Sequence, residues 1–329
     1  MAGRAFVREF ELIDALRTCL AARRDDTRLG IGDDAGILAP LPHSELLVTT
    51  DTLIRDRHFP GDTSVFDIGY KAVAVNLSDI AAMGGAPAWL TVSLAAPALD
   101  RAWADAFVDG LQAACAAYPG PDPIDIVGGD TTRADQLMVT VTAIGHVPSG
   151  QAIRRSGARV GDLIAVTGTL GDAAAGLVRW PQREPGASET DPLIRRLVRP
   201  DLRDGRALIG RATAALDVSD GFLADLGHIL TASNVGARLA VDDLPAAHAL
   251  AAAAPDLTTF RRWQATGGDD YELCLTAPAD QIGPLRDALD CALTVVGEIT
   301  AEPGLTCLDR HGQCLTADVF SQAGWDHFA

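Results

Sequence analysis

Apolar and polar positions recur with two different periods along the chain, and these periods predict an order of helices and strands. Residues 67–83 carry Val73, Leu77 and Ile80 at helical spacing, and a double glycine follows them. Short runs with the period of a strand occur in both halves of the chain. They lie at residues 46–51, 89–95, 124–127, 137–147, 163–166 and 273–275. Both helices and strands are therefore predicted along the chain.

Further patterns complete this outline. Residues 10–20 have the spacing of an amphipathic helix. Residues 223–230 have the spacing of a helix that follows a short strand, and residues 246–254 are predicted to form an alanine-rich helix. The character of the sequence changes between residues 147 and 161. Residues 180–201 are rich in Pro, Glu, Arg and Ser, which predicts a flexible insert within the second half.

Length and composition limit the possible functions. A chain of 329 residues with 48% hydrophobic residues can form two well-packed domains. The net charge of −17 argues against nonspecific nucleic-acid binding, which needs a basic face. Charged residues stand too early for a signal peptide, and no apolar run approaches a membrane span. The 6 cysteines form no C-x-x-C pair, so we expect buried thiols in the cytoplasm.

Carboxylates recur in short segments beside Gly, Ser, Thr or Asn. Most of these segments are turns, and one lies on the helix predicted at residues 67–83. The segments are residues 30–34, 49–51, 76–79, 128–130, 217–220 and 268–270. So many acids at the ends of apolar runs are explained if they converge on cations, and oxygen ligands favour Mg²⁺ over zinc. Such a site commonly holds nucleotide phosphates. Lys71 is the only lysine and follows Tyr70, which excludes a Walker A loop.

Several of these turns allow a simpler interpretation. The turn at residues 30–34 has the composition of an ordinary cap, and that at 128–130 suits a hairpin. Asp220 has the position of a helix N-cap, although this leaves Asp217 unexplained. The turn at residues 167–172 could receive an anion at a helix N-terminus, or could serve packing alone.

Taken in order, the turns resemble those of the thiamine-monophosphate kinase family. The matching segments are Gly30-Ile31-Gly32-Asp33-Asp34, Thr50-Asp51-Thr52, residues 71–79, Gly128-Gly129-Asp130-Thr131-Thr132, residues 217–221 and Asp269-Asp270-Tyr271-Glu272-Leu273. The resemblance extends to a superfamily with aminoimidazole ribonucleotide synthetase and selenophosphate synthetase. It implies an α/β and α+β fold with an N-terminal mixed-sheet domain at residues 1–148 and a C-terminal α+β domain at 149–329. It also implies that the N-terminal domain binds ATP and Mg²⁺ and pairs across a homodimer.

The resemblance further implies ATP-dependent phosphorylation of thiamine phosphate to thiamine diphosphate. The implied Mg²⁺ ligands are Asp34, Thr49, Thr50, Asp51, Asp79, Asp130, Asp217 and Asp220. The implied ATP contacts are Gly129, Asp130, Arg155 and Ser219, and Asp130 and Arg155 are the catalytic candidates. The implied thiamine-phosphate contacts are His58, Asp269 and Trp325.

Two departures and two alternatives accompany this interpretation. Relatives often carry Glu where this chain has Asp269, and the aromatic residue near the terminus, here Trp325, varies among them. One alternative is a selenophosphate synthetase-like enzyme, although Cys19 lies on an apolar helix face rather than in a glycine-rich segment. The other is a non-catalytic nucleotide- or thiamine-binding regulator. The expected partners exclude nucleic acid and membrane.

Overall fold

A computed structural model describes residues 20–315 of the chain. The predicted helix at residues 10–20, apart from Leu20, lies outside this range, as do Cys19 and Trp325. Two compact units are present. The first contains residues up to Ile80 and Gly85–Gly150, and the second contains Ala81–Gly84 and the residues from Gln151 onward.

The described elements mix strands and helices in both units. The strands are β1 Thr27–Leu29, β2 Ile37–Leu38, β3 Ser44–Ile54, β4 Ala86–Ala96, β5 Asp125–Arg133, β6 Met138–Pro148, β7 Leu163–Thr167, β8 Ala214–Asp217, β9 Gly236–Ala240, β10 Leu273–Ala277, β11 Leu293–Thr300 and β12 Gly304–Leu308. The helices are α1 Val65–Ala82, α2 Arg101–Ala117, α3 Asp172–Arg179, α4 Ala187–Thr190, α5 Pro192–Val198, α6 Phe222–Ser233, α7 His248–Ala253, α8 Leu257–Thr266 and α9 Ile282–Ala288.

A four-stranded sheet with the order β3-β6-β4-β5 forms the centre of the first unit. β6 pairs antiparallel with β3 and β4, whereas β4 and β5 are parallel. Successive side chains of a strand point to opposite faces. Leu47 and Leu53 are accordingly buried, whereas Leu46 is 45% exposed and Val48 is 64% exposed. One face of this sheet therefore presents apolar side chains at its surface.

Two glycines allow α1 and α2 to pack with their backbones in contact. A Cβ atom on Gly69 would lie 2.4 Å from the carbonyl oxygen of Phe107, and one on Gly110 would lie 2.1 Å from that of Phe66. No other residue type fits at either position without moving a helix. The close approach fixes α1 against α2, and α1 carries polar residues of the candidate site.

The start of α1 differs in detail from the sequence prediction. Asp67, which was predicted to be the N-cap, is the third residue of the helix. Ser64 takes the capping position: its Oγ accepts from the backbone N–H of Asp67 at 3.1 Å and donates to the Asp67 carboxylate at 2.7 Å. This reciprocal pair resembles a capping box.

A six-stranded sheet with the order β12-β9-β11-β7-β10-β8 forms the second unit. All its strand pairs are antiparallel except β12 with β9. Alternate residues of β7 enter different cores: Ile164 and Val166 join the cluster that includes Phe222 of α6, and Ala165 joins the cluster that includes Leu285 of α9. Helices therefore cover both faces of this sheet.

The prediction of a flexible insert at residues 180–201 was wrong. This stretch forms a 3-10 turn at Trp180–Gln182 followed by α4 and α5. Trp180, Ile194 and Leu197 are buried in an apolar cluster that also contains Ala173 of α3. The polar composition that indicated flexibility reflects side chains that form ion pairs, because several arginines of this stretch contact nearby carboxylates.

The cysteines of residues 20–315 are all free thiols. Burial raises the pKa of Cys115 to about 12 and that of Cys291 and Cys307 to about 11. The predicted burial is confirmed for Cys115, Cys274 and Cys307 and is wrong for Cys314, which is exposed. None of the helices within residues 20–315 has the length and apolar character needed to cross a membrane.

Candidate active site

A cavity of about 860 Å³ lies in the first unit, and we call it the first-unit cavity. Asp33 and Asp34 of the first glycine-rich turn line it together with Gly129 and Asp130 at the end of the buried part of β5. The lining also includes Trp103 and Phe107 of α2, whose rings are stacked with centroids 5.1 Å apart. The cavity thus combines a polar turn with an aromatic wall.

Gly129 is required by the close approach of β5 to β4. Its φ is +159°, and a Cβ atom there would lie 1.9 Å from the carbonyl oxygen of Val92. A Cβ atom on the neighbouring Gly128 would meet nothing within 4 Å. The two glycines of the turn therefore have different roles, and only Gly129 is excluded from substitution by the adjacent strand.

Gly129→Ala is expected to reduce the free energy of unfolding by about 1–3 kcal/mol, since the added methyl group forces β4 and β5 apart. The measurement is urea unfolding followed by circular dichroism. Gly128→Ala is the matched control and is expected to unfold like the parent protein. Equal stability of the two variants would contradict the packing argument.

Two carboxylates on β3 and α1 form a second polar group, the Asp51–Asp79 pair. Burial, the charge of Asp79 and a hydrogen bond with it together raise the pKa of Asp51 to about 6. Thr49 Oγ1 donates to Asp79 Oδ2 at 2.6 Å, and the Asp51 backbone N–H donates to Asn76 Oδ1 at 3.1 Å. Asn76 and Asp79 of α1 therefore contact the middle of β3.

The donor chemistry of the Asp51–Asp79 pair fits Mg²⁺. Two carboxylates at hydrogen-bond distance repel each other unless they share a proton or a cation. Within residues 20–315 no three His, Cys, Asp or Glu side chains come together closely enough to hold a metal ion unaided. Mg²⁺ commonly binds one or two carboxylates and completes its shell with water and substrate phosphates. A pair of acids is thus sufficient for such a site.

Thr50 and His58 are placed differently from the pair. Thr50 Oγ1 lies 2.5 Å from Thr142 Oγ1, on the face of β3 opposite to Thr49 and Asp51. His58 Nδ1 accepts from the Ile54 backbone N–H at 3.0 Å, so the neutral ring carries its proton on Nε2. An N–H of this kind is a suitable donor to a phosphate oxygen. Buried Lys71 donates to the His58 carbonyl oxygen at 3.1 Å and thereby holds this turn.

In the second unit two loops come together, residues 217–221 and 267–271, and we call them the paired loops. The Asp269 backbone N–H donates to the Ser219 carbonyl oxygen at 2.8 Å. A Cβ atom on Gly268 would lie 2.5 Å from that same oxygen, so glycine is needed for the approach. Ser219, Asp220 and Asp269 are therefore neighbours, as their predicted roles in ligand binding require.

Asp225 of α6 fixes the first of the paired loops. Its Oδ2 accepts from the backbone N–H groups of Ser219 at 3.0 Å, Asp220 at 3.0 Å and Gly221 at 3.1 Å. Burial and the charge of Asp220 raise the pKa of Asp225 to about 6, against the effect of these donors. Asp225 performs the capping that was considered for Asp220, and Gly221 occupies the N-cap position.

The three acids at residues 269–272 have separate environments. Asp270 and Glu272 are fully buried, whereas Asp269 is half-buried. Asp270 accepts from the Gly171 backbone N–H at 2.6 Å, at the beginning of α3. Of the two interpretations of that turn, packing is the one supported, because a carboxylate of the chain itself meets the helix N-terminus.

Arg155 lies away from the paired loops. The Arg154 carbonyl oxygen accepts from Ala215 at 3.2 Å, and the Arg155 carbonyl oxygen accepts from Ser233 Oγ at 3.2 Å. Arg155 thus stands near the beginning of β8 and the end of α6, whereas Ser219 follows the end of β8 and precedes α6. An α-helix of 12 residues is about 18 Å long. The structure does not bring Arg155 to Ser219 through these elements.

Both halves of the chain match family models of one class. Residues 32–147 match the AIR synthase related protein, N-terminal domain, and residues 159–310 match the AIR synthase related protein, C-terminal domain. The first segment contains the turns of the first-unit cavity, and the second contains the paired loops. The chain is therefore a two-domain AIR synthase related protein, which confirms the predicted fold class.

Full-length relatives define the family within this class. Thiamine-monophosphate kinase of Salmonella typhimurium is 44% identical over 98% of this chain and 98% of its own length. The enzyme of Escherichia coli K12 is 43% identical over the same shares. The crystal structure of thiamine-monophosphate kinase from Stenotrophomonas maltophilia K279a has a TM-score of 0.83 at 45% identity and covers 94% of this chain and 98% of that chain. The chain belongs to the thiamine-monophosphate kinase family.

A further solved structure contains ligands. It is described as AaThiL complexed with AMPPCP and TMP, and it is 30% identical to this chain with a TM-score of 0.76. It covers 97% of this chain and 97% of its own. This protein therefore shares its fold with a relative whose structure was solved with AMPPCP and TMP bound.

Proposed function

We propose that this protein transfers the γ-phosphoryl group of ATP to thiamine phosphate, which yields thiamine diphosphate and ADP. The observation that carries the proposal is the match to thiamine-monophosphate kinases over 98% of the chain. The relative solved with AMPPCP and TMP supports the pairing of an ATP analogue with the acceptor. The proposed location is the cytoplasm, because ATP is the co-substrate.

The first-unit cavity is the proposed site of the nucleotide. Its aromatic wall, with Trp103 and Phe107, suits a purine base, since base stacking on aromatic rings is favourable. The turn with Gly129 and Asp130 would face the phosphates, where a missing side chain lets backbone amides approach. The family resemblance implies ATP contacts for Arg155 and Ser219. Ser219 keeps this role here, whereas Arg155 is not given it, because it stands at the other end of α6.

Carboxylates are the proposed Mg²⁺ ligands. The Asp51–Asp79 pair, with Thr49, gives the clearest fit to the ion. The acids of the other turns complete the proposed set: Asp34, Asp130, Asp217 and Asp220. Thr50 is left out of it, because its side chain lies on the face of β3 opposite to the Asp51–Asp79 pair. Bound Mg²⁺ would neutralise the phosphate charges that these carboxylates would otherwise repel.

Transfer would proceed in line, with a terminal oxygen of thiamine phosphate attacking the γ-phosphorus while ADP leaves. A phosphate monoester is largely ionised near neutral pH, with a second pKa of about 6, so no strong general base is needed. No covalent intermediate with the protein is required. The chain then acts by holding two polyanions in position, with the Nε2–H of His58 donating to the acceptor phosphate and Asp269 and Trp325 contacting the thiamine part.

A coupled assay of ADP release tests the proposed function. The acceptors are thiamine, thiamine phosphate, selenide and formylglycinamidine ribonucleotide, each with ATP and Mg²⁺. ADP release is expected with thiamine phosphate alone among them, lost with EDTA and restored by added Mg²⁺. Release with selenide instead would favour a selenophosphate synthetase-like enzyme, and nucleotide binding without release would favour a regulator. Turnover undiminished by EDTA would contradict the Mg²⁺ assignment.

The proposed assembly is a homodimer formed through the open face of the first-unit sheet. Leu46 and Val48 are exposed there, and they share this face of β3 with Thr50 and Thr52. An apolar sheet face of this kind is typical of a surface that another subunit covers.

Val48→Asp is expected to shift the protein from dimer to monomer, because it places a charge within the proposed interface. Sedimentation velocity measures the change. Val160→Asp, at a residue of the second unit that is 60% exposed, is the control and should leave the mass unchanged. A parent protein that sediments as a monomer would overturn the dimer.

A further inference from the structure

The backbone of the second paired loop takes an unusual conformation at two residues that are not glycine. Asp269 has a φ of +67° and Tyr271 a φ of +52°, both in the left-handed region. This region is rarely populated by residues with a side chain and is disfavoured for bulky ones. The Tyr271 hydroxyl donates to Asp269 Oδ1 at 3.1 Å. The loop thus folds the tyrosine back onto the carboxylate two residues earlier.

Backbone hydrogen bonds on both sides hold the loop in this conformation. The Asp269 N–H donates to Ser219 O at 2.8 Å, and the Tyr271 N–H donates to Val218 O at 2.8 Å. The Val218 N–H in turn donates to Glu272 O at 2.8 Å. Each of the unusual residues is therefore fixed by the first paired loop, and this loop carries Ser219 and Asp220.

Glu272 and the Asp270 backbone anchor the same loop to the core. Glu272 contacts Arg196 at 2.8 Å and Arg203 at 2.6 Å, and it accepts from Thr167 Oγ1 at 2.7 Å. The Arg196 guanidinium also donates to the Asp270 carbonyl oxygen at 3.0 Å. Arg196 belongs to α5, so the segment predicted to be a flexible insert supplies an anchor for the loop. The conformation at Tyr271 is determined by this network and by the backbone pairing.

We propose that Tyr271 is a positioning residue that orients the Asp269 carboxylate toward the acceptor and so determines the affinity for thiamine phosphate. This inference rests on the proposed function. Thiamine phosphate carries a cationic thiazolium ring and an aminopyrimidine, and a carboxylate can pair with the charge of the first or accept from the amino group of the second. A short aspartate side chain held by a hydroxyl has a restricted orientation, which reduces the freedom lost on binding.

Tyr271→Phe tests the proposal, because it keeps the ring and removes the hydroxyl. Losing a hydrogen bond to a charged group corresponds to about 10- to 100-fold in affinity. The expected result is a KM for thiamine phosphate raised by about this factor, with kcat and the KM for ATP within about twofold of the parent. The melting temperature should change by less than about 3 °C. Tyr118→Phe, in the first unit, is the matched control and should leave kcat and both KM values unchanged.

A double-mutant cycle separates positioning from a structural role. If Tyr271 acts through Asp269, then Tyr271→Phe should have no further effect on the KM for thiamine phosphate in an Asp269→Asn background. An unchanged KM in the single variant, an equal rise for ATP, or full additivity in the cycle would overturn the proposal. A parent protein that forms no ADP in response to thiamine phosphate would overturn the proposed function and this inference together. Normal parent turnover with an unaffected Tyr271→Phe variant would overturn this inference alone.

Discussion

Glu272→Gln is expected to reduce the free energy of unfolding by about 3–5 kcal/mol, the loss typical of breaking a buried ion pair from one side. Burial alone would raise the pKa of Glu272, but the hydrogen bond from Arg203 and the charges of Arg196 and Arg203 outweigh it and hold this pKa below its usual value. The substitution removes the buried carboxylate that Arg196 and Arg203 share, so that of their carboxylate partners only Asp201, whose side chain is 38% exposed, remains. Urea unfolding at neutral pH measures the loss.

The pH dependence and a surface control make the prediction specific. A lowered carboxyl pKa in the folded state stabilises the protein above the unfolded pKa, about 4.3 for glutamate, and the contribution is lost as the pH falls through the folded pKa. The difference in free energy of unfolding between the parent protein and Glu272→Gln should therefore be largest at pH 7 and decrease in acid. Glu298→Gln removes a surface ion pair, in which the Glu298 side chain is 46% exposed and the Arg238 side chain is 57% exposed. It should reduce the free energy of unfolding by less than about 1 kcal/mol. Similar losses for both variants would refute the role given to the buried cluster.

Asp130→Asn is expected to lower kcat for ADP formation by about 10²- to 10³-fold or more, with the protein still folded. Asp130 is exposed, lines the first-unit cavity and is the one residue proposed to contact both ATP and Mg²⁺. An amide keeps the shape of the side chain but removes the charge that a cation needs. The measurements are steady-state turnover of thiamine phosphate and circular dichroism.

Asp135→Asn is the control for this second prediction, since Asp135 is an exposed acid in the turn that follows β5. It should keep the turnover of the parent protein. Near-normal turnover of Asp130→Asn would remove Asp130 from the catalytic site. A comparable loss in Asp135→Asn would show that the effect is a general consequence of reduced negative charge.

Periodicity predicted the local elements whose apolar faces are well defined. The helix expected at residues 67–83 is α1, Val65–Ala82, and the strand expected at residues 137–147 is β6, Met138–Pro148. α2 was missed, although Trp103 and Phe107 stand one turn apart and the Asp100 carboxylate accepts from the Trp103 N–H at 2.9 Å. Alanine occupies much of α2, so its apolar face has little contrast with the rest of the helix.

Contacts between distant residues lay beyond what spacing can predict. The acids at residues 269–272 all read as candidates for one ligand site, but only the fold separates Asp269 on the paired loops from the buried Asp270 and Glu272. Arg196 lies 76 positions from Glu272, and no local pattern links the two. The contact between Thr49 and Asp79 was easier to anticipate, because a strand end and a polar helix face both indicated it. The sequence therefore predicted where the acidic turns lie. The residues that contact them could be identified only from the tertiary structure.

The burial of Lys71 has a practical consequence for experiments on this protein. Its side chain is 1% exposed and it is the only lysine of the chain. Amine-reactive esters used for dyes, cross-linkers or surface immobilisation will therefore find no ε-amino group on the folded protein. Modification at Lys71 would instead report opening of the first unit, and its rate in the presence of nucleotide would measure how strongly a ligand keeps that unit closed.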